Sequence, residues 1–291
     1  MITGKTKLLG VIGAPIAHSL SPIMHNAAIA QLGVDYAYMP FHVEPGQLKA
    51  AIDGFAAIGL QGFSITIPHK QAIMPLLTDV SPIARTIGAI NTVWRTDAGW
   101  SGTNTDVTGF LHPLIALERD WSQTTAVILG NGGAARAVVA GCAQLGCAAI
   151  QVVGRDAQKL EHFLNSWAGS ALAANLSIHP WERLGDLLPQ AGLLVNTTPI
   201  GMSPYESSSP LSDTDVNRLL PNVIVYDLIY TPAPTVFLKQ AMSRGAIVID
   251  GLEMLVQQGA AALEIWLQQP PPVDVMRRSL QQHLGLSHKQ P

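Results

Sequence analysis

The chain has 291 residues, enough for two domains of about 100–200 residues each. Apolar residues make up 48% and charged residues only 13%, with 26 Gly and 20 Pro, a balance that excludes a disordered chain and suits an α/β protein with many tight turns. The formal net charge of −3, without any run of Lys or Arg, gives no electrostatic case for a nucleic acid or an anionic membrane as partner.

The N-terminal segment lacks an apolar stretch of signal-peptide length, and nowhere do about 18 apolar residues run together, so a soluble, cytoplasmic protein is expected. Residues 8–12, 36–41 and 62–67 read as strands and residues 21–32 and 48–58 as helices. This alternation predicts a largely parallel sheet. Three polar segments stand at strand ends or helix starts: Ser19-Leu20-Ser21-Pro22, Thr66-Ile67-Pro68-His69-Lys70, and Asn91-Thr92 with Asn104-Thr105-Asp106. Ser21-Pro22 reads as an N-cap followed by Pro at the first helical position. Capping explains Ser19 less well, and two hydroxyls beside free helix N–H groups make a carboxylate cradle. Lys70 emerges where the chain leaves the sheet. Most such lysines are simply solvated, but beside a carboxylate such as Asp106 an ammonium can hold, donate and accept a proton. His18, His25 and His69 are rival proton donors, although a single His in such a place is more often a hydrogen-bonded structural residue.

Around residues 102–106 the composition turns polar, and a helix-like segment at 109–117 follows. A domain boundary is placed there, giving a first domain of residues 1–106, completed by helices in 252–291, and a second of residues 107–251. The second opens on the apolar run Thr125-Ala126-Val127-Ile128-Leu129, the turn Gly130-Asn131-Gly132-Gly133-Ala134-Ala135-Arg136 and an alanine- and valine-rich helix. The spacing Gly130, Gly132, Ala135 matches G-x-G-x-x-G/A, in which the first Gly makes the tight turn, the second admits a pyrophosphate and the third small residue lets helix meet strand. A tight turn with no ligand is the plain alternative. The next strand ends in Gly154-Arg155-Asp156, where such folds read the ribose: an acidic residue binds the 2′-hydroxyl of NAD, whereas Arg accommodates the 2′-phosphate of NADP. Arg155 and Lys159 favour NADP, Asp156 keeps NAD open, and a solvated helix start would equally explain the two cations.

Cys142 and Cys147, five apart, match neither a zinc pattern nor a C-x-x-C redox pair, and free Cys here behaves as a small apolar residue. Strands at 126–129, 150–153, 193–196, 223–227 and 247–249 complete a Rossmann-type, doubly wound pattern. The last apolar segment, 254–268, carries Leu255, Ala262, Leu263 and Trp266 at helical spacing and is expected to pack back on the first domain. A crevice between two α/β domains is the expected ligand site, and no His, Cys or carboxylate cluster has metal-ligand spacing.

Taken together, the segments resemble the shikimate dehydrogenase family over nearly the whole chain. Ser19-Leu20-Ser21-Pro22-Ile23-Met24-His25-Asn26-Ala27-Ala28 is similar to its substrate-carboxylate motif, and Ser64-Ile65-Thr66-Ile67-Pro68-His69-Lys70 to its catalytic-lysine motif. Gly88-Ala89-Ile90-Asn91-Thr92 and Gly102-Thr103-Asn104-Thr105-Asp106-Val107-Thr108-Gly109-Phe110 resemble its hydroxyl-binding segments. Asn196-Thr197-Thr198-Pro199-Ile200-Gly201-Met202 and Gly251-Leu252-Glu253-Met254-Leu255-Val256-Gln257-Gln258-Gly259-Ala260 complete the set. The resemblance implies two α/β domains, the N-terminal one with a mainly parallel sheet and the C-terminal one a Rossmann-type dinucleotide-binding domain. It implies reversible reduction of 3-dehydroshikimate to shikimate with NADP(H), in chorismate and aromatic amino-acid biosynthesis. Ser19 and Ser21 would bind the substrate carboxylate, and Thr66, Asn91, Asp106, Tyr230 and Gln258 would surround the ring hydroxyls. Lys70 would be the acid–base residue with Asp106. Gly130, Asn131, Gly132, Gly133 and Ala134 would hold the pyrophosphate, Arg155 and Lys159 the 2′-phosphate, and Leu228 and Gly251 the nicotinamide end. No metal, nucleic acid or membrane is implied, and a homodimer is the candidate assembly. The chain departs from the usual family pattern at Gly154-Arg155-Asp156, often Asn-Arg-Thr; at Asn131, often Ala; and at Glu253, often Gly. The alternatives are a quinate or dual quinate/shikimate dehydrogenase using NAD, and, more remotely, a non-catalytic sensor of shikimate-like metabolites.

Overall fold

The structure is a computed structural model and describes residues 2–286; the chain end within the expected first domain, residues 287–291, lies outside the described residues. The chain forms two compact units, Met1–Gly109 with Leu255–Pro291, and Phe110–Met254.

The first unit begins with β1 (Lys7–Gly13), α1 (Ser21–Leu32), β2 (Tyr36–His42), α2 (Leu48–Ala57), β3 (Gly62–Ile65), β4 (Asp79–Val80), α3 (Pro82–Ile87), β5 (Thr92–Thr96), β6 (Gly99–Thr103) and the start of α4 (Asp106–Ile115). Its sheet has the order β2-β1-β3-β5-β6-β4. The β2, β1 and β3 strands run parallel, as the alternation predicts, and β4 pairs parallel with β6. By contrast β5 is antiparallel to both β3 and β6, because β5 and β6 form a hairpin across Asp97 and Ala98 that leaves no room for a crossover helix. Buried Ile12, Ile52, Phe55, Leu60, Phe63, Ile65, Val93 and Trp100 form one core on this sheet.

The start of α1 corrects one expectation. Leu20, not Ser21, holds the N-cap position, and Ser21 is the first helical residue with no capping side chain behind it. The Ser21 N–H instead reaches back to Ser19 Oγ at 3.4 Å. The bridging role thus falls to Ser19, and the Ser21 hydroxyl is left for other partners.

The second unit contains β7 (Thr125–Leu129), α5 (Gly133–Gln144), β8 (Ala149–Gly154), α6 (Ala157–Asn165), β9 (Leu176–Pro180), α7 (Leu184–Leu187), β10 (Leu193–Asn196), α8 (Asp213–Val216), β11 (Ile224–Asp227), α9 (Val236–Ser243) and β12 (Ile247–Ile249). All its ladders are parallel. The order β12-β11-β10-β7-β8-β9 is the doubly wound dinucleotide-binding order, whose direction of winding reverses between β7 and β10. The central strands are almost wholly apolar and buried, as expected of a sheet covered on both faces; Val127, Leu129, Leu194 and Val225 share a core with Phe237 and Leu238 of α9.

Two last helices, α10 (Leu252–Leu267) and α11 (Val273–His283), return the chain to the first unit. Trp266 Nε1 of α10 donates to the Val93 carbonyl at 2.9 Å, and its indole fills the space above Gly62, where any Cβ would collide with it. The α11 helix packs on α1.

Candidate active site

Lys70 lies five residues beyond the end of β3, and Asp106 opens α4, so fixed elements present both groups. Lys70 Nζ donates to Asp106 Oδ2 at 2.6 Å, with side chains 17% and 8% exposed. A pair held this far from water interacts more strongly than a surface ion pair, and removing either member strands a charge. Asp106 is anchored from three directions. Its backbone N–H is received by Asn104 Oδ1 at 3.0 Å, its carboxylate lies in the first turn of α4, where the helix dipole favours negative charge, and Asn91 Nδ2 donates to Oδ1 at 2.7 Å.

Asn91 can present its amide N–H2 to Asp106 because its oxygen is already engaged, accepting from the Thr105 N–H at 2.8 Å and the Thr92 hydroxyl at 2.9 Å. Asn91 Nδ2 also reaches Gln258 Oε1 of α10 at 3.3 Å, and Gln258 Nε2 is tied to the Leu255 carbonyl at 2.8 Å. The structure therefore joins Lys70, Asp106, Asn91 and Gln258, predicted from four distant segments, in one network. Thr66 follows β3 directly, and its methyl group packs against Gly13, where an added Cβ would approach it to 2.5 Å.

The serine pair leads to His25, one of the rival proton donors. His25 Nδ1 donates to the Ser21 carbonyl at 2.9 Å. The ring is fully buried and stacked on Tyr38 at 4.1 Å, and burial lowers its pKa to about 4. His25 is thus a neutral structural histidine at physiological pH. His69 is likewise buried, with Nε2 donating to the Val43 carbonyl at 2.7 Å. Of the rival proton donors, only His18 is exposed.

In the second unit, Gly130 has φ of +101°, a left-handed conformation that favours glycine, and an added Cβ there would meet Thr197 Oγ1 at 2.8 Å. Thr197 follows β10 and donates to the Leu129 carbonyl at 2.7 Å, which fixes this turn where the winding reverses. At Gly132 a Cβ would meet only open space. Gly132 is also the N-cap of α5 and supplies no side-chain acceptor, so the first N–H groups of α5 are available to an anion. By contrast α6 and α9 are capped by Asp156 and Thr235. An open approach beside an uncapped helix start fits a pyrophosphate.

Asp156 receives the Lys159 N–H at 3.1 Å, and Lys159 Nζ stands 3.6 Å from its carboxylate. Both are exposed, as is Arg155. The acidic residue is therefore occupied as a helix cap with a cation beside it. Leu228 follows β11, and Gly251 packs so closely on it that any Cβ would overlap the Leu228 carbonyl. Asp227, which sequence reasoning passed over, anchors this turn. Fully buried, it accepts from Asn196 Nδ2 at 3.0 Å, the Ile229 N–H at 3.2 Å and the Thr235 hydroxyl at 2.7 Å. Burial nevertheless raises its pKa to about 6. A carboxylate ending an apolar strand was its only local signal. Tyr230 also lies in this unit, half-buried, and desolvation raises its phenol pKa. Glu253 opens α10 with His112 Nδ1 3.6 Å from its carboxylate. Among the described residues, no group of three His, Cys, Asp or Glu side chains could hold a metal ion, and no helix is long and apolar enough to cross a membrane.

The doubly wound sheet with its glycine turn, together with a shielded lysine–aspartate pair, defines a dinucleotide-dependent α/β oxidoreductase. Residues 11–93 match the shikimate dehydrogenase substrate binding domain, and residues 251–281 match the shikimate 5′-dehydrogenase C-terminal domain. The chain is 65% identical to the NADP(+) shikimate dehydrogenase of Trichormus variabilis over 98% of its own length and 100% of the relative's. A crystal structure of a shikimate dehydrogenase in complex with NADP+ superimposes with a TM-score of 0.87 at 37% identity, covering 98% of both chains. The Thermus thermophilus enzyme in complex with NADP(H) and shikimate gives 0.83 at 32% identity, covering 95% of this chain and 99% of that one. The chain belongs to the shikimate dehydrogenase family.

Proposed function

We propose that Lys70 and Asp106 form the acid–base pair of the reaction, within a first unit that binds substrate, and that the second unit holds the dinucleotide. The chain is an NADP(H)-dependent oxidoreductase of the shikimate pathway that interconverts 3-dehydroshikimate and shikimate. NADPH supplies the hydride when bound; the protein's residues manage the proton. In reduction the Lys70 ammonium donates its proton to the carbonyl oxygen as that oxygen gains negative charge, and in oxidation neutral Lys70 takes it back from the hydroxyl. Asp106 keeps the ammonium aimed through the 2.6 Å contact and accepts from a neighbouring substrate hydroxyl. Asn91, Thr66 and Gln258 orient the remaining hydroxyls, and Ser19 and Ser21 bind the carboxylate. Tyr230 is assigned to the substrate by the resemblance.

Gly130, Asn131, Gly132, Gly133 and Ala134 hold the pyrophosphate, Arg155 and Lys159 face the 2′-phosphate, and Leu228 and Gly251 border the nicotinamide. In this reading the protein is a cytoplasmic enzyme whose partners are small molecules, with a homodimer as its assembly. The observation that carries the proposal is the enclosed Lys70–Asp106 pair. The test measures initial rates with shikimate and with quinate, each with NADP+ and NAD+, for the parent protein, Lys70→Ala and Asp106→Asn. Shikimate with NADP+ is the best pair, and loss of the proton carrier in Lys70→Ala lowers kcat by about 10²–10⁴-fold. A Lys70→Ala protein within about threefold of the parent removes Lys70 from the chemistry.

A further inference from the structure

Three neighbouring strands of the second sheet end at one level. Leu129 of β7 and Asp227 of β11 both pair with Asn196 of β10, one on each side. The turns that follow the two outer strands are those assigned to the dinucleotide, Gly130 to its phosphates and Leu228 to its nicotinamide. Hydrogen bonds join one turn to the other. Thr197 donates to the Leu129 carbonyl at 2.7 Å, Asn196 Nδ2 donates to Asp227 Oδ1 at 3.0 Å, and the Leu228 N–H donates to the Asn196 carbonyl at 3.1 Å. Asp227 then shapes its own turn. Its Oδ1 also accepts the Ile229 N–H at 3.2 Å, its Oδ2 accepts the Thr235 hydroxyl at 2.7 Å, and the Ile229 carbonyl accepts the Gly251 N–H at 3.1 Å.

Stability alone does not account for a carboxylate here. Burial raises its pKa to about 6, so at neutral pH the folded protein holds the anion at a cost, whereas an amide of the same shape would still accept from Asn196 and Ile229. What the charge adds is stiffness, because hydrogen bonds to an ionised acceptor are about twice as strong as neutral ones. We infer that Asp227 is a positioning residue for the nicotinamide half of the dinucleotide, holding the Leu228 turn at a fixed spacing from the phosphate-binding turn at Gly130. This rests on the reading that Leu228 and Gly251 border the nicotinamide. Two strand spacings of about 4.8 Å separate the turns, and the covalent link between the two halves of the ligand has limited reach, so both halves add to affinity only when that spacing is kept. A loosened Leu228 turn leaves the phosphates held and the ring unplaced.

The test compares the parent with Asp227→Asn, Asp227→Ala and Gly251→Ala. Dissociation constants are measured by calorimetry at pH 7.5 for NADP+ and for 2′-phospho-ADP-ribose, which carries the same phosphates without the nicotinamide. Affinity for the shorter ligand also reports that the dinucleotide unit is folded. Asp227→Ala weakens NADP+ about tenfold and Asp227→Asn about threefold, the graded loss expected when all or one of the hydrogen bonds to a charged group is removed, and both leave 2′-phospho-ADP-ribose within twofold. Gly251→Ala, which disturbs the same turn from the other side, shows the same selectivity. If Gly251→Ala is selective and Asp227→Ala weakens both ligands equally or neither, the nicotinamide reading stands and the positioning role falls. If none of the three variants separates the two ligands, the assignment of Leu228 and Gly251 to the nicotinamide falls and the positioning role falls with it.

Discussion

Acidification should weaken the first unit through His25. The ring is fully buried, stacked on Tyr38, and committed through Nδ1 to the Ser21 carbonyl. Its pKa falls from 6.5 to about 4 in the folded protein. As pH drops below 6.5 the unfolded chain takes up a proton that the folded chain refuses. Stability is therefore complete above that value and is lost progressively until about pH 4. At about 1.4 kcal/mol per pH unit, the loss approaches about 3 kcal/mol. With a urea slope of about 1–3 kcal/mol per molar, the unfolding midpoint of the first unit should fall by about 1–3 M between pH 7.5 and pH 4.5. The assay is urea titration followed by tryptophan fluorescence, since Trp266 lies 5.6 Å from the His25 ring. His25→Phe preserves a ring on Tyr38 but cannot titrate, and its midpoint should be nearly flat over the same range. A His25→Phe midpoint that falls as steeply as the parent's would refute this reasoning.

Asp227 acts in the opposite sense. Its raised pKa of about 6 means that its contribution is greatest below the unfolded value near 4 and is lost as pH rises through 6. Asp227→Asn should remove that dependence from the thermal unfolding of the second unit, read by calorimetry between pH 4 and 7.5. At Asp156, replacement by Thr retains a capping oxygen and removes the anion, so KM for NADPH should fall a few-fold with stability unchanged. Asp156→Ala should lose the cap of α6 and lower the midpoint of chemical denaturation. Gly251→Ala forces a Cβ into the Leu228 carbonyl and should displace that turn at a cost of about 1–3 kcal/mol, seen as a rise in KM for NADPH of about fivefold or more.

The second unit was the more legible in sequence. Its central strands are short buried runs ended by glycine or polar residues, and Gly130, Gly132 and Ala135 each answer a separate geometric need, so their spacing carried both fold and ligand class. The β5–β6 hairpin escaped because Gly99-Trp100-Ser101-Gly102-Thr103 reads as a turn, and only pairing with Thr92–Thr96 makes it a strand. The β9 strand escaped for a related reason, as an edge strand that is only half-buried and ends in Pro180. In the candidate site, Lys70, Asp106, Asn91 and Gln258 were named through residue type and resemblance, and the structure brings them together in one network. Asp227 was not named, because it joins β11 to Asn196, 31 residues away in the chain, and a carboxylate at a strand end does not record that partner. Ser21 shows how one residue at a helix start reverses a reading: moved from the N-cap position to the first turn, its hydroxyl is no longer a cap.

The seating of Trp266 over Gly62, with its indole N–H on Val93, also bears on how the protein is made. The Phe110–Met254 unit is continuous in sequence and can fold as it leaves the ribosome, whereas the first unit depends on helices translated last. Until α10 is complete, the β3–β5 ladder lacks its cover and Asn91 lacks Gln258. Every molecule therefore emerges with its doubly wound unit available and its Lys70–Asp106–Asn91 network still lacking Gln258, and a chain stalled before residue 258 would keep the first and never gain the contact between Asn91 and Gln258.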